Sequence, residues 1–444
     1  MEKRRILTLF LCMGLLAALL TGCGNNMTGN SGTTEETTTT NMTATKTTTA
    51  EAYEKQVEIR YAIWDKNQEE YLQKAADEFM KLNPDIKITI EVTSWDEYWT
   101  KLEVAATGGS IADVFWMNGP NITKYARGGI LLPLDNLVAD SDLDMSNYPS
   151  SLVDLYTIDG SKYALPKDFD TIAVWYNKAI FDAAGVDYPT NDWTWEDMAE
   201  IVGKLTNADA GVYGIASQYI NQEGIYNTIF ANGGNVISED KTTSGYDSAA
   251  TKKGIQCWVE LQKNGYSPSE ASLEETPGYV QFESGKIAMI WGGSWKIKEF
   301  SQADGIADVV DCVEVPTING QKASVIHGLG NCIYANTEHP AEAGKWVEFL
   351  AGEIANTIQA ESGAAIPAYT PATSIWSKAY SQYNTQAFLT AAKNYSYAYP
   401  VSASTAEWQQ SEADYLKLVF SLDMTVDEAC NKLAADMNKV LGAE

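Results

Sequence analysis

The chain has 444 residues, enough for two ordinary domains, with 45% hydrophobic and 11% aromatic content. Its net charge of −28 excludes nucleic acid as a partner, because phosphate binding needs a basic face. Two histidines, His327 and His339, and six cysteines without CxxC or zinc spacing give poor support for a metal centre or a Ser–His–Asp triad.

Residues 1–22 start with Lys3, Arg4 and Arg5, run apolar, and end in small residues. That is the layout of a secretory signal peptide, and the run is too short and too early for a membrane span. It closes on Leu20-Thr21-Gly22-Cys23, which resembles the lipobox of bacterial lipoproteins, where the thiol takes diacylglycerol. The alternative is an ordinary signal peptide with a chance cysteine. Lipid on Cys23 would hold the chain at the cell membrane on its extracytoplasmic side, at roughly 0.8 kcal/mol per buried CH₂. Residues 23–55 are Thr-rich and nearly free of large apolar side chains, so they read as a disordered tether. Residues 1–22 carry a net +2, which leaves about −30 on the remainder and disfavours anionic cargo. Beyond residue 22 the only arginines are Arg60 and Arg127.

Folded sequence begins near Gln56. "VEIRYAIW" alternates as a strand does. "NQEEYLQKAADEFMKLNP" places Leu72, Ala75, Ala76, Phe79 and Leu82 at helical spacing, and Asn83-Pro84 stops it. "DIKITIEVTS" is a second strand, "DEYWTKLEVAATGG" a second helix and "ADVFWM" a third strand. This order implies a parallel sheet with covering helices, whose ligands sit beyond the carboxyl ends of the strands. Trp64, Asp65, Trp116 and Asn118 fall at those ends. "YALPKDFDTIAVWYNKAIF" reads as an extended crossing that leads into a helix. Thr194 with Asp197, and Thr425 with Glu428, form capping boxes. "KIAMIW" is a strand expected to end on Gly292-Gly293, with the glycines turning the chain and presenting Trp295. Asp140, Asp142 and Asp144 begin like a calcium loop but lack its later Gly and Glu, so they read as a solvated acidic loop. Cys257, Cys312, Cys332 and Cys430 read as buried thiols, with a Cys312–Cys332 bridge left open.

Thirteen tryptophans and 24 tyrosines stand beside small polar residues. Sugar rings present weakly apolar C–H faces that stack on flat aromatics, and hydroxyls that pair with carboxylates and amides. Most of these aromatics, taken singly, are packing residues.

From about Val57 onward the chain resembles the extracellular solute-binding proteins of ABC importers, in the family 1 carbohydrate-binding group that includes maltose-binding protein. The stretches that carry the resemblance are "FMKLNPDIKITIEV", "GGSIADVFWMNG", "ALPKDFDTIAVWYNK", "FANGGNVI", "FESGKIAMIWGGSW" and "HGLGNCIYANTEHPAEAGKWVEFL". The resemblance implies an α/β, two-lobed fold of the periplasmic-binding-protein type II. Lobe 1 would take 56–167 plus 327–372, and lobe 2 168–326 plus 373–444. Each lobe would be a sheet flanked by helices, with hinge crossings between them. Sugar would bind in the cleft, the lobes would close on it, and the closed form would dock on a membrane permease. Carried over by position, the ligand-binding candidates are Trp64, Asp65, Trp116 and Asn118 on lobe 1 and Asp170 on the crossing. Lobe 2 adds Gln222, Tyr226, Asn227, Trp295 and, second to it, Trp291. Glu361, Gly363 and Trp408 complete the set. Trp116 also fits a core position, and Asp170 could pair with Lys167 instead of ligand. Gly328 and Gly330 are assigned to hinge geometry. The expectation is a monomeric, non-catalytic lipoprotein without cofactor or metal. The alternatives are a surface-anchored glycoside-processing enzyme, which needs two facing carboxylates, or the same fold with a non-sugar solute.

Overall fold

The alternation in Val57–Ile63 buries Ile59, Tyr61 and Ile63 together. The structure, a computed structural model, describes residues 56–444; the signal peptide, Cys23 and the tether lie outside the described residues. Val57–Ile63 pairs in parallel with Ile86–Val92 on one edge and Val114–Asn118 on the other. Leu329–Ile333 and then Leu165–Pro166 add antiparallel strands to complete a five-stranded sheet. Helix Glu69–Leu82 covers it through Tyr71, Leu72, Ala75, Ala76 and Phe79. Leu82, expected on that stripe, is 64% exposed, because the helix ends there and the Asn83 side chain donates back to the Phe79 carbonyl.

The second sheet runs in the order Val310–Val313, Ile172–Asn177, Ile287–Gly293, Tyr213–Ile215. Ile172–Asn177 and Ile287–Gly293 are buried at every position, as strands covered on both faces must be. The terminal helices Thr405–Phe420 and Val426–Leu441 pack into this lobe through Trp408, Leu416, Leu433 and Met437. Both expected capping boxes are present.

The chain crosses between the sheets at neighbouring places. Asp168–Phe169 pairs with Ile366–Pro367, and Asp170 bridges to His327. Gly328 permits the close approach: a Cβ there would lie 2.2 Å from the Asp168 carbonyl oxygen. Helix Thr373–Ala379 then leans on Glu353–Ser362, where Trp376 Nε1 donates to the Gly363 carbonyl at 3.0 Å. Helix Gln386–Asn394 reaches the second sheet, its Phe388 carbonyl accepting from Thr171 Oγ1 at 2.8 Å.

One expectation changes in part. The strand does end on Gly292-Gly293, but the glycines do not turn the chain: both pair with Ile172-Ala173, and neither has a positive φ. What they supply is space for flat rings. A Cβ on Gly292 would meet Trp175 at 3.1 Å, and one on Gly293 would fall 1.9 Å from the Trp295 ring. Cys312 and Cys332 stay free, one in each sheet, as do Cys257 and Cys430.

Candidate functional site

At the carboxyl end of the first sheet the aromatics gather. The Trp64 ring lies 4.9 Å from Tyr98, 5.1 Å from Trp116, 5.3 Å from Trp95 and 5.7 Å from Trp99. Trp95, Tyr98 and Trp99 come from the first turns of helix Trp95–Gly108, which follows the end of Ile86–Val92. Trp116 has no exposed surface; its Nε1 donates to Tyr61 Oη at 2.6 Å, and Lys167 Nζ sits 4.4 Å from its ring. Asp65 closes a local turn, accepting from the Asn67 N–H at 2.9 Å and from Gln68 Nε2 at 3.0 Å. Asn118 is buried and accepts from Asn121 Nδ2.

On the crossing, Lys167 pairs with Asp168 and donates to Gln68 Oε1 at 2.7 Å. Asp170 therefore has no cation. Its Oδ1 accepts from Gln222 Nε2 at 2.6 Å, and its Oδ2 stands 4.0 Å from His327 Nδ1. Burial, then the charges of Asp168 and Glu223, push the Asp170 carboxyl well above the usual range. His327 accepts the Gly119 N–H on Nε2, and burial lowers it to about 4, so it stays neutral.

Gln222 sits on a single π turn, Asn221–Ile225, a form that recurs at functional sites. Its neighbours are structural in this conformation. Tyr226 is fully buried and donates to Glu412, while Asn227 bonds the Gln222 and Gly224 carbonyls and accepts from the Val325 N–H. Trp291 is wedged between Trp195 and Trp258. Beside it lies a cavity of about 40 Å³, with Glu223, Tyr279 and Lys296 in its wall, room for a few waters and not for a ring. Trp408 is fully buried, donating to Ser402 Oγ. Gly363 adopts φ +70° at the end of its helix, with the Tyr380 ring where a Cβ would be, and Glu361 is exposed.

Burial sorts the aromatic candidates. Of the 13 tryptophans, nine are buried; only Trp64, Trp95, Trp99 and Trp295 keep open surface. Trp64 and Trp295 were expected from sequence; Trp95 and Trp99 were not, although "SWDEYW" follows a strand end as Trp64-Asp65 does. One hydrogen bond links the two sides: Lys298 Nζ, on the helix after Trp295, donates to the Asn67 carbonyl at 2.7 Å, two residues beyond Asp65. The structure thus joins Asp170 to Gln222 and Trp64 to Trp116, and ties the turn after Asp65 to the helix after Trp295.

Residues 65–357 match the family described as bacterial extracellular solute-binding protein. The chain belongs to that family. It is 27% identical over 247 residues to a maltotriose-binding protein of Pyrococcus abyssi, covering 55% of this chain and 51% of that one. It is 24% identical over 320 residues to a maltodextrin-binding protein of Bacillus subtilis, covering 68% and 71%. The chain spans about half the length of several of the curated relatives it matches. Among solved structures, an ABC substrate-binding protein of Listeria monocytogenes in complex with cycloalternan superposes with a TM-score of 0.80 at 27% identity, over 87% of this chain and 99% of that one. The α/β, two-lobed fold of such binding proteins is the fold found here. Proteins of this family act outside the cytoplasm, and the similar proteins named are binding proteins.

Proposed function

We propose that the chain is the substrate-binding lipoprotein of a carbohydrate ABC importer. It captures a saccharide between lobes 56–167 with 327–372 and 168–326 with 373–444, and delivers it to the permease. Lipid on Cys23 and the tether 23–55 hold it at the outer face of the membrane as a monomer. The observation that carries this reading is the pairing of open tryptophans with an uncompensated carboxylate. Trp64, Trp95 and Trp99 stand on one side and Trp295 on the other, with Asp170 on the crossing and no arginine near it. Both arginines of the described residues are engaged elsewhere, Arg60 with Glu91 and Arg127 with Asp159. Flat rings and an acceptor with a free oxygen suit a neutral polyhydroxylated ligand, and an anion finds no partner. The names of the similar proteins, maltotriose- and maltodextrin-binding, agree with this ligand class.

A thermal-shift screen against a carbohydrate panel tests the reading, because a ligand that binds only the folded state raises its stability by mass action. The expected result is saturable binding, a change in tryptophan fluorescence and no turnover. Release of product from a bound oligosaccharide would make the chain an enzyme. Trp295→Ala should keep the fold and weaken binding about tenfold or more, about 1.4 kcal/mol; unchanged affinity removes Trp295 from the site.

A further inference from the structure

Asp170 and His327 are partners in an antiparallel bridge between two crossings. The Asp170 N–H donates to the His327 carbonyl at 2.8 Å, and the His327 N–H returns to the Asp170 carbonyl at 3.3 Å. Residues paired in this way put their side chains on one face, so the backbone sets the distance between them. The Tyr399 ring packs on the imidazole, 4.9 Å away at 50°. His327 is 6% exposed and the Asp170 side chain 15%, so each keeps a little open surface.

The Gly119 N–H, at the start of helix Gly119–Arg127, donates to His327 Nε2 at 3.2 Å. A neutral imidazole carries one proton, and that bond puts it on Nδ1. Nδ1–H is thus a donor. It forms no hydrogen bond among the described residues and faces Asp170 Oδ2 across 4.0 Å. That distance is too long for a direct bond, but it fits one oxygen at about 2.8 Å from each atom. Such an oxygen has to accept from Nδ1–H and donate to Oδ2. A hydroxyl does both, whereas a ring or glycosidic oxygen only accepts.

We propose that His327 is a ligand-binding residue whose Nδ1–H, together with Asp170 Oδ2, holds one free hydroxyl of the sugar. This rests on the carbohydrate reading of the cleft. The pair selects a ligand that brings an unsubstituted hydroxyl to the crossing, and its spacing is set before the ligand arrives.

A histidine that only satisfied the first N–H of a helix would use Nε2 alone. Two substitutions separate the roles. Gln places an amide oxygen near the Nε2 position and nothing at Nδ1. Asn places its amide nitrogen near Nδ1 and nothing at Nε2. Titration calorimetry of the purified chain against glucose, galactose, mannose and their linear oligomers gives the tightest-binding sugar as the probe. His327→Gln should bind it about tenfold or more weakly while the melting temperature holds. His327→Asn should keep affinity within about threefold while the melting temperature falls, because the Gly119 N–H loses its acceptor. Adding Asp170→Asn to His327→Gln should cost little beyond the larger single loss, since both act on one hydroxyl. Wild-type affinity in His327→Gln overturns the assignment, as does an equal loss in His327→Asn and His327→Gln. Fully additive losses in the double variant overturn the shared hydroxyl. In each of these cases the cleft still binds sugar. Absence of binding by every saccharide overturns the carbohydrate reading and the assignment with it.

Discussion

Two buried carboxylates in this molecule sit in opposite circumstances. Glu412, with no exposed surface, accepts from three tyrosine hydroxyls: Tyr219 at 2.7 Å on Oε1, Tyr226 at 2.7 Å and Tyr246 at 2.5 Å on Oε2. Asp170, 15% exposed, accepts one side-chain bond, from Gln222, and faces a neutral histidine. Burial raises both pKa values. The difference lies in what is left over. Glu412 has its oxygens filled by its own lobe and serves structure. Asp170 keeps one oxygen without a donor among the described residues, so its desolvation is only partly offset, and a ligand hydroxyl can supply the rest. The contrast teaches that burial and a raised pKa do not mark a site by themselves. What separates the two is the acceptor that Asp170 leaves unfilled on the crossing.

The largest effect should come from the satisfied member. Glu412→Leu leaves three buried tyrosine hydroxyls without their acceptor, at about 1 kcal/mol or more each, so urea unfolding should show a loss of about 3 kcal/mol or more. A loss below about 1 kcal/mol would mean that the tyrosines re-pair with one another and that the network is not what holds this part of lobe 2. Asp170→Asn should behave the other way. Removing a charge that is poorly compensated should leave stability unchanged or raise it by about 1 kcal/mol, while sugar affinity falls about 10- to 100-fold. If Asp170→Asn instead lost stability and kept affinity, the two carboxylates would be alike and Asp170 would leave the site.

Sequence pattern carried the architecture further than the site. The β–α–β–α–β opening, the stop at Asn83-Pro84 and both capping boxes depend on local spacing, and each is found. Trp116, Trp291 and Trp408 could not be separated from Trp64 and Trp295 in the same way. A strand's alternation gives it two faces but does not tell which one a distant helix will cover. Gly292-Gly293 looked like a turn because glycine usually marks one; here the reason is the Trp175 and Trp295 rings, of which Trp175 is far off in sequence. Trp95 and Trp99 were legible, since they follow a parallel strand's carboxyl end just as Trp64 does. The cluster around Glu412 was not. Its tyrosines lie 166 to 193 residues away, and only the folded lobe brings them together.

The smallest effect is the pH dependence that these carboxylates share. A carboxyl whose folded pKa is raised binds more protons folded than unfolded between its ordinary pKa and the raised one. Its contribution is therefore full below that window and is lost as pH rises through it. Desolvation puts Glu270 and Glu283 at about 7, the latter helped by Glu299, and raises Glu223, Glu412 and Asp170 as well. His327 works in the opposite sense, because its pKa is lowered to about 4; it adds stability as pH rises from 4 to its unfolded value near 6.5 and changes nothing above that. Between pH 6.5 and 8 Glu270 and Glu283 lose their protons, and the melting temperature of the ligand-free chain should fall by a few degrees across that range. Glu270→Gln should flatten part of the slope, because the amide does not titrate. A melting temperature that rises from pH 6.5 to 8 would place these acids as ordinary ionised surface groups. A slope identical in wild type and Glu270→Gln would mean that burial does not hold the Glu270 carboxyl above its ordinary range.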